Sequence, residues 1–121
     1  MKLLFVYNAN SGKLSALLDG LHKMVSPSTY DCNLCAMTFG NFLEDPTWKS
    51  FREESEDEMK FYHKDEFLKQ FRSKWLPKYN FPVVLFEENG ELGVFIDSVD
   101  LNNLENTPQL IATIKKRQSY Y

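Results

Sequence analysis

Phe81-Pro82-Val83-Val84-Leu85-Phe86-Glu87-Glu88-Asn89-Gly90-Glu91-Leu92-Gly93-Val94-Phe95-Ile96 decides the fold. Val83 to Phe86 is a β-branched and aromatic run, the strongest strand signal in the chain. Glu88-Asn89-Gly90 carries the Asn-Gly pair of a two-residue hairpin turn. Leu92 to Ile96 is then the returning, antiparallel strand. Proline is tolerated as the first residue of a strand, where Pro82 stands.

Downstream, Asn106-Thr107-Pro108 opens a last helix, with Leu110, Ile111 and Ile114 inward. Lys115, Lys116 and Arg117 fall in its last turns, where cations suit the helix dipole. Upstream, Trp75 to Asn80 is a loop. Asp65 caps a short helix through Phe67, Leu68 and Phe71. Met59 to His63 alternates like a strand. Glu53 to Glu58 is an acidic cluster, expected to be a solvated turn. Asp45-Pro46 starts a helix carrying Trp48 and Phe51. The stretch from 28 to 55, which includes that helix, is harder: it also holds Cys32, Cys35, Ala36, Met37, Phe39, Phe42 and Leu43, with Gly40 weakening a helix there.

At the N-terminus, Leu3 to Tyr7 is an apolar run without alternation, the pattern of a buried central strand. Asn8-Ala9-Asn10-Ser11-Gly12 is turn and cap chemistry. Leu14, Leu17, Leu18, Leu21 and Val25 then repeat at spacings of three and four, an amphipathic helix that Ser26-Pro27-Ser28 ends.

The order is strand, helix, excursion, strand, helix, strand, hairpin, strand, helix. Strands separated by helices are usually parallel neighbours, whereas a tight hairpin makes an antiparallel pair. The expected fold is α/β: one domain over 1–121, with a mixed four-stranded sheet, helices on both faces and a helical insertion at about 26–57.

Length and composition agree. The chain has 121 residues, 43% hydrophobic and 15% aromatic, enough for one core. The net charge of −3 argues against nucleic acid as the main partner. No apolar run approaches the roughly 18 residues of a membrane span. Met1 to Tyr7 imitates a signal peptide only briefly, and no small-residue cleavage site follows it. A soluble, cytoplasmic protein is expected.

This element order, with Phe81-Pro82 entering the third strand, resembles the thioredoxin-like superfamily over nearly the whole chain. The resemblance implies that the Phe81–Pro82 bond is cis and that Pro82 lies beside an active site. It also carries a departure. In that superfamily a Cys-x-x-Cys pair sits where the first strand meets the first helix, and this slot reads Asn8-Ala9-Asn10-Ser11. The pair here, Cys32-Asn33-Leu34-Cys35, comes some twenty residues later. The chain also resembles a small, poorly characterised bacterial family sometimes labelled GTPase.

Four constellations could carry chemistry. The Cys pair comes first. Two cysteines are no secreted disulfide framework; in a reducing compartment such a pair is redox-active, metal-binding or buried. As a redox pair, Cys32 would attack as the thiolate at a helix N-terminus and Cys35 would resolve. Asp31 opposes that thiolate, and no Lys, Arg or His lies within several residues. The exchange needs no cofactor, only a protein or small-molecule thiol or disulfide partner. Second, a Cys₂His₂ zinc site would have to use Cys32, Cys35, His22 and His63, whose spacing matches no standard finger. Third, Asn8, Asn10, Ser11, Gly12 and Lys13 form a candidate anion loop at a helix N-terminus. A nucleotide phosphate loop needs Gly-x-x-x-x-Gly-Lys-Ser/Thr; the first Gly is missing and Leu14 replaces the hydroxyl residue. With no Asn-Lys-x-Asp motif either, the GTPase label finds no support in these residues. Fourth, Trp48, Phe51, Phe61, Tyr62, Phe67, Phe71, Trp75, Tyr79 and Phe81 concentrate aromatic surface in half the chain, as core or as a ligand groove.

Thiol–disulfide chemistry with Cys32, Cys35 and Pro82 is the first functional expectation. A non-catalytic thioredoxin-like binding module is the second. A phosphate- or nucleotide-directed enzyme using the 8–13 loop is the third.

Overall fold

The computed structural model describes residues 1–8, 33–39, 44–71 and 79–120. The expected helix from Leu14 to Val25 and most of the loop from Trp75 to Asn80 lie outside these residues.

The central run forms strand β1, Lys2–Tyr7, and Leu3 to Val6 are fully buried. On one side β1 pairs in parallel with β2, Glu58–His63, from Lys2↔Glu58 to Tyr7↔His63. On the other it pairs antiparallel with β3, Val83–Glu88, which pairs antiparallel with β4, Glu91–Ile96. The sheet order is β2-β1-β3-β4. β1 is central because both its faces are apolar; β2 tolerates an edge because Glu58 and Lys60 are charged and exposed.

The hairpin forms as its residues dictate. Asn89 and Gly90 both take positive φ, 55° and 82°, the pair of values a type I′ turn requires. The Phe81–Pro82 bond is cis, as the resemblance implies.

Five helices are described: α1 Asn33–Phe39, α2 Pro46–Glu54, α3 Lys64–Gln70, α4 Ser98–Asn102 and α5 Thr107–Gln118. α1, α2, α4 and α5 cover one face of the sheet. There Leu34, Trp48, Leu101, Leu110 and Ile114 meet Leu3, Phe5, Val84 and Phe95. α3 covers the other face, where Phe67 meets Leu4, Val6, Val83 and Leu85. The described chain is thus α/β, a mixed four-stranded sheet with helices on both faces.

The helix starts follow cap chemistry. Asp45 Oδ1 accepts from the N–H groups of Thr47 (2.9 Å) and Trp48 (3.1 Å), with Pro46 in the first turn of α2. Asn106 accepts from Gln109 N–H at 3.0 Å to start α5, and Lys115, Lys116 and Arg117 occupy its last turn.

Three expectations need correction. Asp65 does not cap α3. β2 runs straight into that helix, so the cap position falls on His63, whose backbone N–H donates to Glu66 Oε1 at 2.8 Å. The acidic cluster is not all turn: Glu53 and Glu54 end α2, and Glu58 opens β2, although all three are exposed. Between β4 and α5 lies a helix the sequence pattern does not announce, α4, whose N-cap Asp97 accepts from Asp100 N–H at 2.8 Å.

Candidate functional site

The C-terminal ends of β1, β2 and β4 and the N-terminal end of β3 fall at one end of the sheet. Tyr7 is opposite His63, Val6 is opposite Val83, and Val84 is opposite Ile96. The cis Phe81–Pro82 bond enters here, and Pro82 is buried. α4 begins two residues beyond Ile96, at the same end.

Helix α1, which carries Cys35, is tied to this end at both of its own ends. At its first residue, Asn33 Nδ2 donates to the carbonyl oxygens of Leu101 (2.7 Å) and Leu104 (2.8 Å). Those carbonyls belong to the last turn of α4 and the chain just past it, and Leu101 O also accepts from Leu104 N–H at 3.2 Å. Toward its other end, the Thr38 hydroxyl lies 3.0 Å from the Tyr7 hydroxyl at the end of β1, and it donates to Leu34 O at 2.9 Å. Thr107 Oγ1 donates to Met37 O at 2.7 Å, and Asp45 N–H donates to Thr38 O at 2.7 Å. Thr38 and Thr107 are buried polar groups, and each is satisfied by these bonds. A helix of seven residues gains little stability by itself. Ties to the sheet, α2, α4 and α5 therefore hold it in place.

Cys35 sits in the first turn of α1, only 1% exposed, as a member of the larger core. Its sulfur is in a disulfide, so it has no titrating thiol. The sequence has one other cysteine, Cys32, which lies outside the described residues. The excursion between β1 and β2 thus carries Cys35 to the end of the sheet where Pro82 enters.

The other candidates fare differently. Of the anion loop, Asn8 follows β1 and is half-buried. Asn10, Ser11, Gly12 and Lys13 lie outside the described residues, as does His22. His63, at the end of β2, has its Nδ1 2.6 Å from Glu66 Oε1. The Glu66 carboxyl is held below the ordinary carboxylate range, first by the His63 backbone N–H and then by the ring. His63 thus serves the start of α3, and a disulfide sulfur is a poor metal ligand beside a thiolate. Among the described residues no three His, Cys, Asp or Glu side chains gather as a metal site.

The aromatic residues divide between the two faces. Phe5, Trp48, Phe51 and Phe61 form a contact cluster under α2, with Trp48 and Phe5 ring centroids 5.4 Å apart. Tyr62, Phe67, Phe71, Tyr79 and Phe81 form a second cluster around α3. Burial pushes the Tyr79 phenol above its ordinary range.

Sequence reasoning missed the residues that hold the site. In the sequence Asn33 is only a spacer between two cysteines, Thr38 belongs to no motif, and Thr107 reads only as part of a helix start. Their partners lie 68 to 71, 31 and 70 residues away, so no local pattern could have shown them. No helix among the described residues is long and apolar enough to cross a membrane. Comparison with protein-family models, with curated proteins and with solved structures gives no match to this chain.

Proposed function

We propose that this chain is a thioredoxin-like thiol–disulfide protein whose reactive pair is Cys32 and Cys35. The observation that carries the reading is Cys35: a disulfide-bonded, buried cysteine in the first turn of a helix lashed to the Pro82 end of the sheet. The strand order β2-β1-β3-β4, with β1 and β2 parallel and β3 antiparallel to β1, supports the superfamily reading. In this scheme Cys32 attacks and Cys35, shielded from solvent, resolves. Reduction by two glutathione thiols breaks the S–S bond, leaves both cysteines protonated and releases one glutathione disulfide. The physiological partner is a thiol or disulfide of a protein or small molecule, and the compartment is cytoplasmic.

The test is mass spectrometry of acid-quenched protein after incubation in native buffer with glutathione of stepped oxidised-to-reduced ratio. The wild-type mass is expected to move by two hydrogens between its limits. Cys35→Ser should trap a glutathione adduct on Cys32, and Cys32→Ser should acquire none without denaturant, because Cys35 is buried. A disulfide that native millimolar glutathione never opens would make the pair structural and sink the reading.

The same burial of Cys35 favours one second reading, a binding module in which the disulfide only braces α1. That reading predicts the inert outcome just described.

A further inference from the structure

We propose that a second copy of this chain docks along β4, the two strands pairing antiparallel about a two-fold axis at Gly93. The inference does not depend on the thiol–disulfide reading. Among the described residues β4 pairs with β3 alone, so its other edge is open. The two edges of the sheet differ. β2 carries exposed Glu58 and Lys60, charges that blunt an edge. β4 presents Val94, a large apolar side chain 46% exposed. A groove of about 380 Å³ runs beside it, lined also by Phe95, Thr113, Lys116, Arg117 and Tyr120. Lys116 in that groove and Glu91 at the start of β4 are both exposed, and neither has an ion-pair partner among the described residues.

The strand fixes the register. Glu91 follows the Asn89-Gly90 turn and directs its N–H back across the hairpin. Backbone direction alternates along a strand, so Leu92 and Val94 turn their N–H and C=O groups outward. Past them Arg117 Nη1 donates to Phe95 O at 2.8 Å, which closes the edge. One antiparallel register uses both free residues: Leu92 opposite the partner's Val94, with Gly93 opposite its own copy. Each such pair exchanges two backbone hydrogen bonds, and the axis repeats the exchange. The side chains agree with this register. Leu92 packs with the α3-side core, and Val94, two residues on, shares its face. Val94 of each subunit therefore covers Leu92 of the other. Gly93 faces the α5 side, where it lies against the Phe86 ring, and it adds no side chain at the axis. Glu91 shares that face with Gly93 and Phe95. The register sets the partner's Glu91 opposite Phe95, beside the cations of the groove. Arg117 is already paired with Asp100 at 2.7 Å, so Lys116 is the cation left to meet it. The acidic end of one strand thus answers the basic groove of the other, twice in each dimer.

The test is sedimentation equilibrium of the full chain from micromolar to millimolar concentration. Wild type is expected to dimerise in that range. Val94→Lys sets a charge against Leu92 of the partner subunit and should leave a monomer. Lys116→Glu and Glu91→Lys should each weaken association about tenfold, since each breaks two ion pairs and leaves like charges facing. Combining Glu91→Lys with Lys116→Glu exchanges the signs and should bring the constant back to within about threefold of wild type. All three positions are exposed, and far-UV circular dichroism checks that each variant is folded. A wild type that is still monomeric at millimolar concentration overturns the proposal. So does a dimer that Val94→Lys leaves intact, or a double variant in which the two losses add instead of cancelling. A monomer that binds an extended peptide of Glu and Val residues in fluorescence anisotropy, and loses that binding in Lys116→Glu, would give the edge to a foreign strand and likewise overturn the self-pairing.

Discussion

On one face of the sheet Leu3, Phe5 and Tyr7 pack against helices α1, α2, α4 and α5; on the other Leu4 and Val6 pack against α3. The first face is deep. Trp48, Leu34, Leu101, Leu110 and Ile114 are all 0% exposed there, and its polar groups are tied across long sequence separations. The second is shallower among the described residues. Phe67 is its one fully buried helical side chain, and Tyr62, Phe71, Tyr79, Phe81 and Leu92 are half-buried around it. The difference bears on the candidate site, because Cys35 belongs to the deep face. A short helix gains little stability by itself, and the close-packed interior around Cys35 supplies its support.

The strongest way to break this comparison is to truncate one ring on each face. Trp48→Ala should cost about 4 kcal/mol of unfolding free energy, the usual loss for a large ring in a closed core. Phe71→Ala, half-buried, should cost about 1.5 kcal/mol, roughly half the value of a fully buried side chain. Equal losses in urea unfolding would show that the faces are equally deep. A finer variant sharpens the same point. Trp48 Nε1 is buried with no hydrogen-bond partner. An unsatisfied buried donor costs about 1–3 kcal/mol, so Trp48→Phe, which removes it, should lose no more than about 1 kcal/mol despite the smaller ring.

Gly93 tests how tightly the deep face closes at its β4 edge. A Cβ built there would come within 2.4 Å of the Phe86 ring, its cross-strand partner. Phe86 packs against the deep core, so its ring has little room to retreat. Gly93→Ala should therefore cost about 2 kcal/mol, the range of small-to-large changes in packed sites. A neutral result in thermal unfolding would mean that the ring swings away and that the edge is looser than the core beneath it. Gly90 is a different case: a Cβ there meets nothing, and only its φ of +82° resists substitution.

Next in size is the tie between α1 and β1. Tyr7→Phe removes one hydroxyl and leaves Thr38 still bonded to Leu34 O. Its cost should be about 1 kcal/mol, the net value of one hydrogen bond. Amide exchange of residues 33–39 should rise with it if the tie holds the helix. Unchanged protection there would put the anchoring on Asn33 and Thr107 alone.

These contrasts also explain what was legible. The hairpin could be read because its determinants are local: Asn89 and Gly90 supply the positive φ values, and the apolar runs Val83 to Phe86 and Leu92 to Ile96 flank them. The central strand could be read because β1 is buried on both faces. The cap at Asp45 and the start of α5 at Asn106 and Pro108 depend on residues within one turn. Helix α4 was invisible because it spans five residues with one buried side chain, Leu101, and Val99 is exposed. The sequence shows a Cys-x-x-Cys motif, but the support for Cys35 comes from carbonyls and hydroxyls dozens of residues away. The end of the sheet to which it is carried is a tertiary fact. Asp65 is the better capping residue type. His63 occupies the position instead because β2 continues to its very edge, and Glu66 supplies the capping carboxylate.

That last correction yields the smallest prediction, on the shallow face. The Glu66 carboxyl titrates below its ordinary value of 4.5 because it accepts from the His63 backbone N–H and ring. A group whose pKa is depressed in the folded state stabilises the fold above its unfolded value. That contribution is lost as pH falls through the lower folded value. Glu66 is half exposed, so the contribution is screened to about 0.5 kcal/mol or less. Glu66→Gln keeps an acceptor for the His63 N–H, because glutamine serves at this capping position as glutamate does. The variant should therefore match wild type within about 0.5 kcal/mol at neutral pH. It should lose less stability than wild type as the pH is lowered from 4.5. Parallel acid-unfolding curves for the two proteins would show that the ionised carboxylate adds nothing to the capping bond. The start of α3 would then rest on an uncharged capping bond and the shallow-face packing of Phe67.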